Sequence, residues 1–127
     1  MTPLAVAAGS ALGGVLRYWC SGLIAARIGE TFPWGTLIVN VVGSALIGIF
    51  AAVTAPDGRL LVAPEVRMFF TVGLLGGFTT FSSFSLQTLH LMRDGEWLFV
   101  AGNVVGSVVL CLVGVWLGYA LGLLCTR

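Results

Sequence analysis

The chain has 127 residues, of which 58% are hydrophobic and only 9% are charged. A soluble domain carries about 25% charged residues, so this composition is that of a membrane protein. A net charge of +1 without any lysine excludes the basic patch that nucleic-acid binding requires. The first arginine, Arg17, follows an apolar run, so the N-terminal segment lacks the charged start of a signal peptide. We expect it to remain as a membrane span.

Four segments are apolar and near the length of about 20 residues that a membrane-spanning helix needs. They cover residues 3–24, 34–54, 68–91 and 97–124. Arg17 is the only charged residue inside them, and Trp34 and Trp97 open the second and fourth spans, where aromatic rings favour the membrane interface. The connections are short, so residues 1–127 are predicted to form one all-α domain of four transmembrane helices that lies in the lipid bilayer.

Pairs of small residues at four-residue spacing occur on all four spans. They are Gly9 and Gly13, Ser44 and Gly48, Gly73 and Gly77, Gly102 and Gly106, and Gly114 and Gly118. Small residues let helix backbones approach closely, which matters because lipid provides no hydrophobic drive for helix association. The pattern predicts a tightly packed and oligomeric bundle.

The arginines are distributed almost evenly between the two sides of the membrane. With four spans, one side carries Arg59, Arg67 and Arg127, and the other carries Arg27 and Arg93. Membrane orientation is set by the bias in such counts, and here the bias is small. We therefore expect the chain to insert both ways and to form an antiparallel homodimer, the two-chain counterpart of an inverted repeat. A single orientation set by the weak bias is the alternative.

The third span contains an unusually polar stretch, Gly73–Ser85, with two adjacent glycines and five hydroxyl residues. Within a membrane, irregular or polar backbone is tolerated only where it is buried in protein or lines a wet cavity. Gly76 and Gly77 can break the helix, since glycine is unfavourable in a helix by about 1 kcal/mol relative to alanine. The alternative is a glycine pair used only for close packing. A broken helix exposes carbonyls to ions, and a hard cation such as sodium suits them.

Phe78, Phe81 and Phe84 recur every three residues and so share one face of the third span. Aromatic stripes usually serve packing, but hydroxyl residues surround this one. The edges of aromatic rings carry positive partial charge and can attract a small anion without a fixed cation. The neighbouring hydroxyl residues are Thr79, Thr80, Ser82 and Ser83.

Three further polar features lie within the spans. Asn40 is the only amide of the second span and offers two N–H donors, either to an ion or to a neighbouring helix. Asn103, Ser107 and Cys111 form a partly polar stripe on the fourth span. Arg17 is costly in a membrane unless it is paired, so it is either a charge in a pore vestibule or an anchor to backbone carbonyls.

The sequence offers little for catalysis. The single histidine, His90, has no partners at metal-ligand spacing. No acidic residue lies within a span, which argues against proton-coupled transport, because an embedded Asp or Glu normally carries the proton there. We therefore expect a protein that is not an enzyme.

Three motifs together resemble the Fluc (CrcB) family of bacterial fluoride channels. They are Gly13-Gly-Val-Leu-Arg-Tyr18, Gly35-Thr-Leu-Ile-Val-Asn-Val-Val-Gly43 and Gly76-Gly-Phe-Thr-Thr-Phe-Ser-Ser-Phe-Ser85. The resemblance covers nearly the whole chain. It implies passive fluoride export across the bacterial cytoplasmic (inner) membrane by an antiparallel, dual-topology homodimer with two pores and a central structural sodium ion.

The resemblance also implies roles for individual residues. Backbone carbonyls of Gly76 and Thr79, from both subunits, would hold the sodium ion. The fluoride pathway would comprise the ring edges of Phe81 and Phe84, the amide of Asn40 and the hydroxyls of Thr36 and Ser107. Further candidates for the pathway are Ser82, Ser83 and Arg17.

Two positions depart from the family pattern. Gln87 stands where relatives often have glutamate, and Cys111 replaces a hydroxyl residue one turn after Ser107. Two other functions remain open. A small four-helix proton-coupled exporter would need a glutamate in the first span, where this chain has Arg17. A membrane scaffold would need no cluster of polar residues in the third span.

Overall fold

The computed structural model describes residues 1–127 and is all-helical, as the sequence predicts. The helices are α1 (Thr2–Ile28), α2 (Trp34–Val53), α3 (Pro64–Met68), α4 (Gly76–Phe78), α5 (Phe81–Arg93) and α6 (Trp97–Cys125). A π-helical stretch, Phe69–Leu75, joins α3 to α4. We call the 30 residues from Pro64 to Arg93, which run from α3 to the end of α5, the third segment.

Three of these segments are long and apolar enough to cross a membrane. They are α2, the third segment and α6, which correspond to the predicted spans 34–54, 68–91 and 97–124. The predicted span 3–24 lies within α1, which is 27 residues long but is not among the three. Arg17 and many alanine, glycine and serine residues make α1 less apolar. A membrane-spanning position for α1 therefore stays a prediction.

Proline and glycine mark where several helices begin and end. Pro3 and Pro64 stand in the first turn of α1 and α3, where the missing N–H of proline would have no helical partner. Gly29 follows α1 with a φ of 96°, and Gly95 follows α5 with a φ of 74°. Glycine takes this left-handed conformation without steric cost. The chain can therefore turn back sharply after α1 and after α5.

The longest packed interface in the chain joins α2 to α6, and their backbones touch at glycines. A Cβ atom added at Gly48 would clash with the carbonyl oxygen of Val115, and one added at Gly118 would clash with that of Ala45. Only a residue without a side chain fits at these two positions. The small-residue pattern of α2 and α6 thus brings these helices into direct contact.

Glycines also mediate the contact between α1 and the π-helical stretch. A Cβ atom added at Gly73 would lie 3.0 Å from the Cα atom of Gly9. Gly102 and Gly106 on α6 differ, because they face no other helix of the chain. A Cβ atom at Gly106 would meet nothing within 4 Å, and one at Gly102 would meet only the ring of Phe32 at 3.8 Å.

The backbone of the third segment is extended at Thr79 and Thr80, which we call the extended pair. Their φ and ψ angles are −83° and 158° for Thr79 and −153° and 120° for Thr80. Gly76, in contrast, has helical angles of −64° and −37°, and Gly77 lies within α4. The prediction that the glycine pair itself leaves the helix is therefore wrong. Glycine permits such a departure, whereas β-branched threonine favours the extended conformation.

Candidate functional site

The side chain of Asn40 holds the extended pair against α2. Its Oδ1 atom accepts a hydrogen bond from the backbone N–H of Thr80 at 2.7 Å. Its Nδ2 atom donates to the backbone carbonyl of Thr80 at 3.0 Å. The backbone N–H of Thr80 has no helical partner, and Asn40 supplies one. The carbonyl of Thr80, which as the cap of α5 can also accept a helical N–H, gains Asn40 as a side-chain partner. The carboxamide keeps one further N–H, so Asn40 can still act as a donor to a ligand.

Thr80 also begins α5 as its N-terminal cap. Its Oγ1 atom accepts a hydrogen bond from the backbone N–H of Ser83 at 3.2 Å. The same oxygen lies 3.1 Å from the hydroxyl of Ser83 and 3.4 Å from that of Ser82. A threonine cap satisfies a helix N–H that would otherwise lack a partner. Three hydroxyl groups therefore cluster beside the extended pair.

Arg17 reaches from α1 to the other residue of the extended pair. Its Nη1 atom lies 3.5 Å from the carbonyl oxygen of Thr79, beyond the usual 2.7–3.2 Å of a strong N–H···O bond. The contact favours the interpretation of Arg17 as an anchor to backbone carbonyls. The half-buried guanidinium also lines a polar cavity. A positive charge therefore lies on the side of the extended pair that borders this cavity.

Gly43, one turn after Asn40, lets α2 approach the extended pair. A Cβ atom added there would clash with the Cγ2 methyl of Thr79 and would lie 3.3 Å from the ring of Phe78. Sequence reasoning included Gly43 only as part of a motif. The signal available in the sequence was the position of this glycine, three residues after Asn40 on the second span.

Six of the predicted site residues line one largely apolar cavity of about 410 Å³. We call it the apolar cavity. Its predicted residues are Asn40, Gly76, Thr79, Phe81, Phe84 and Ser107. Cys111 lies in its wall as well, one turn beyond Ser107. The cavity therefore combines an amide, a hydroxyl and two aromatic rings next to the extended pair.

A second cavity, of about 770 Å³, has a polar lining and contains other predicted residues. In this polar cavity lie Arg17, Thr36 and Ser83, together with Gln87. Thr80 borders both cavities. Ser82 borders neither and is exposed. The structure thus divides the predicted residues into two groups, with the extended pair at the boundary between them.

Gln87 is the one side chain with a buried polar atom that lacks a partner. Its Oε1 atom is buried and forms no hydrogen bond within the chain. The residue as a whole lines the polar cavity, although this atom is itself shielded. The amide that stands at this position therefore adds an unpaired acceptor to the polar side of the extended pair.

Phe81 and Phe84 lie side by side, with ring centroids 5.2 Å apart and planes inclined by 47°. Phe84 is 8% exposed, whereas Phe81 is 75% exposed. A single chain therefore packs one ring and leaves the other free. Packing within this chain accounts for Phe84 and does not account for Phe81.

The two residues predicted to hold sodium lie beside the same cavity. Gly76 and Thr79 border the same apolar cavity, and a Cβ atom at Gly76 would meet only the carbonyl oxygen of Thr71, at 3.6 Å. There is no group of three or more histidine, cysteine, aspartate or glutamate side chains that could hold a metal. A cation at this place would thus depend on backbone oxygens, which are hard ligands suited to sodium.

A buried polar network joins α5 to α6. The Thr88 hydroxyl donates to the carbonyl oxygen of Phe84 at 2.7 Å, and Asn103 Nδ2 donates to Thr88 Oγ1 at 3.0 Å. The Ser107 hydroxyl donates to Asn103 Oδ1 at 3.3 Å. Sequence reasoning noted Asn103 and Ser107 on one stripe but missed Thr88, whose partner is 15 residues away in sequence.

The chain is similar in sequence to a described family over most of its length. The model of the family described as "CrcB-like protein, Camphor Resistance (CrcB)" matches residues 4–119. A protein of Rhodospirillum rubrum named "Fluoride-specific ion channel FluC" is 62% identical over 119 residues, or 94% of this chain and 92% of the relative.

Two further relatives carry the same name. The protein of Opitutus terrae is 66% identical over 116 residues, which cover 91% of this chain and 88% of the relative. The protein of Paramagnetospirillum magneticum is 58% identical over 127 residues, which cover 100% of this chain and 99% of the relative. The likeness therefore extends over whole chains and includes both cavities.

Proposed function

The chain belongs to the CrcB-like family, and from this premise we propose that it is a fluoride-specific ion channel. It is a multi-pass protein of the bacterial cytoplasmic membrane and not an enzyme, and it lets fluoride leave the cell passively. The single observation that carries the proposal is the apolar cavity, where Asn40, Ser107 and the pair Phe81 and Phe84 meet. An amide, a hydroxyl and ring edges all present positive partial charge.

These groups suit a small anion that must both enter and leave. A channel has to replace part of the hydration shell of its ion and yet bind it weakly enough for release. The apolar cavity contains no charged side chain. Dipoles of Asn40 and Ser107 and the edges of the two rings attract an anion less strongly than a fixed cation would. Weak neutral donors thus favour passage over trapping.

The polar cavity serves as the aqueous approach to this site. Arg17, Thr36 and Ser83 line it, and Ser82 lies beside it through its contact with the Thr80 hydroxyl. In the proposed pathway, fluoride moves from this cavity past Thr80 and Asn40 to the rings and then to Ser107. The extended angles of Thr79 and Thr80 support the helix break that the pathway requires.

A sodium ion at the dimer axis is the second element of the proposal. Carbonyls of Gly76 and Thr79 from each subunit would hold it, supported by the open space beside Gly76. Such an ion would contribute a positive charge between two anion pathways and would link the subunits.

The third element is an antiparallel homodimer with two pores. The nearly even distribution of arginines supports insertion in both orientations. Gly102 and Gly106 support a further helix contact, because nothing in the chain packs closely on them. The exposed ring of Phe81 supports it too, since a pore-lining ring has to be enclosed by something beyond its own chain.

Flux from liposomes tests the proposed function. Purified protein is reconstituted, with sodium present throughout, in vesicles loaded with potassium fluoride and potassium chloride, and a potassium ionophore starts the efflux. We expect rapid release of fluoride with chloride retained, and no change when the pH gradient is collapsed. Equal release of both anions would refute specificity for fluoride. Dependence on the pH gradient would favour a proton-coupled exporter instead.

A further inference from the structure

We propose that Asn103 sets how strongly the Ser107 position holds fluoride, by competing for the single proton of the Ser107 hydroxyl. The inference rests on the proposed function, because it requires Ser107 to lie on the fluoride pathway. Asn103 is 1% exposed and borders neither cavity. It does not touch the ion, so it acts as a positioning residue.

The direction of the hydrogen bonds follows from the carbonyl at one end of the network. The carbonyl oxygen of Phe84 can only accept, so the proton of Thr88 is committed to it. Thr88 Oγ1 must then accept from Asn103, which places the NH₂ group of Asn103 toward Thr88. A reversed carboxamide would set two oxygens together with no proton between them. The network thus determines which way Asn103 faces.

The orientation leaves Asn103 Oδ1 facing Ser107. Oδ1 can only accept, and the Ser107 hydroxyl is its one hydrogen-bond partner. That hydroxyl has a single proton. If the proton turns toward an anion in the apolar cavity, Oδ1 becomes a buried acceptor without a partner, which is unfavourable. The O···O separation of 3.3 Å exceeds the usual 2.5–3.0 Å, so the hydroxyl is held loosely enough to turn.

Competition of this kind weakens the hydroxyl as an anion ligand. Ser107 lines the apolar cavity together with Phe81 and Phe84. Rapid conduction requires a site that releases its ion. Asn103 therefore raises the fluoride concentration at which the channel saturates and speeds departure of the ion. Thr88 contributes by keeping Asn103 in the competing orientation.

Concentration-dependent flux tests the inference in the intact channel in liposomes. Asn103→Leu keeps the branched shape of the side chain, with some added volume, but removes the competitor. It should lower the half-saturating fluoride concentration about threefold to tenfold, because fluoride binding would no longer leave one buried acceptor without a partner. It should also lower the maximal flux. Ser107→Ala should raise the half-saturating concentration. In the Ser107→Ala background, Asn103→Leu should have no further effect on it.

A second pair of variants keeps Asn103 itself in place. Thr88→Val conserves shape but removes the group that orients the carboxamide, and it should lower the half-saturating concentration as Asn103→Leu does. Thr88→Ser keeps the hydroxyl and should restore the wild-type value. Val105→Leu, on the exposed face of α6, is the matched control for the added side-chain volume and should behave as wild type.

The outcomes separate this inference from the proposed function. A half-saturating concentration that is unchanged or raised in both Asn103→Leu and Thr88→Val would overturn the competition. An equal fall with and without the Ser107 hydroxyl would overturn it too, because the effect would then not pass through that proton. If Ser107→Ala alone changes nothing while fluoride still flows, Ser107 is off the pathway and this inference fails, but the channel function stands.

Discussion

Asn40 and Thr80, 40 positions apart in sequence, are joined by two hydrogen bonds between one carboxamide and both backbone groups of one residue. The pairing resembles one rung of a β-ladder placed between two helices. It satisfies backbone groups at the point where the third segment is extended, as irregular backbone within a membrane requires. Asn40 is therefore a structural element of the proposed pathway as well as a candidate donor within it.

The variant Asn40→Asp tests whether the donor half of the Asn40 carboxamide is needed. An aspartate can still accept from the Thr80 N–H, but it cannot donate to the Thr80 carbonyl or to an anion, and its charge repels fluoride. We expect at least a tenfold loss of flux, roughly the effect of losing one hydrogen-bond donor to a charged ligand. Size-exclusion chromatography reports whether the variant still folds, and flux from liposomes reports how well it still conducts fluoride. Val42→Thr, on the exposed face of α2 and outside both cavities, is the control for an isosteric change of polarity on the same helix.

The exposure of Phe81 makes it the better of the two rings for a test of aromatic edges. At 75% exposed, it can be replaced with little loss of packing within the chain. Phe81→Ile keeps apolar character but removes the ring quadrupole, and we expect a strong fall in fluoride flux from a protein that still folds. Phe84→Ile should lower both flux and thermal stability, since Phe84 is 8% exposed.

Phe99→Ile provides the control for aromatic loss elsewhere. Phe99 packs edge-on against Phe32, with centroids 5.7 Å apart, and it borders neither cavity. Its flux should match that of wild type. Wild-type flux in both Phe81→Ile and Phe84→Ile would mean that the aromatic stripe serves packing alone.

Much of the site could be predicted from the sequence because it is polar in an apolar setting. Asn40 and the hydroxyls beside Phe81 and Phe84 are conspicuous there, and the structure brings Asn40 and the two rings to one cavity. The position of the extended pair could not be predicted, because glycine only permits a departure from the helix. Thr88 could not be predicted either, since its burial depends on how α5 meets α6.

Adjacent glycines in the third segment allow a sharp test of the sodium site. Gly76→Val should abolish sodium-dependent flux, although within one chain a Cβ atom there meets only the Thr71 carbonyl oxygen at 3.6 Å. Since that distance concerns the Cβ atom alone, Gly76→Ala is the stricter variant, and a severe effect of its single methyl group would point to an ion or a partner subunit. Thr79→Ser should be mild, because a backbone atom does the binding. Wild-type flux should fall when a large organic cation replaces sodium.

Gly77→Ala is the matched comparison for Gly76. A Cβ atom at Gly77 would lie 2.7 Å from the carbonyl oxygen of Ser10, so this variant should lower the melting temperature through the contact with α1. Its loss of flux should be the same with every small cation. A wild-type channel that stays fully active without sodium, lithium or another small cation would exclude the site.

Orientation can be tested by labelling a cysteine placed beside Arg127 in intact cells. The nearly even arginine counts predict that some molecules are labelled from each side. Adding two or three lysines to one side should bias orientation and abolish flux of that variant alone, and co-expression of an oppositely biased variant should restore it. Full activity of a protein labelled from one side only would rule out dual topology.

Gly43 and Thr79 offer a test by compensation. Gly43→Ala adds a methyl group that would clash with the Cγ2 methyl of Thr79, so α2 would push against the extended pair and strain the two bonds between Asn40 and Thr80. Flux should fall sharply. The melting temperature should fall modestly, because overpacking lowers the free energy of unfolding by about 1–3 kcal/mol.

Adding Thr79→Ser removes that Cγ2 methyl but keeps the hydroxyl that donates to the carbonyl oxygen of Leu75. The double variant should therefore recover most of the flux, which a nonspecific effect of alanine on α2 would not allow. Ala51→Ser, on the same helix and away from both cavities, controls for a small change in side-chain size.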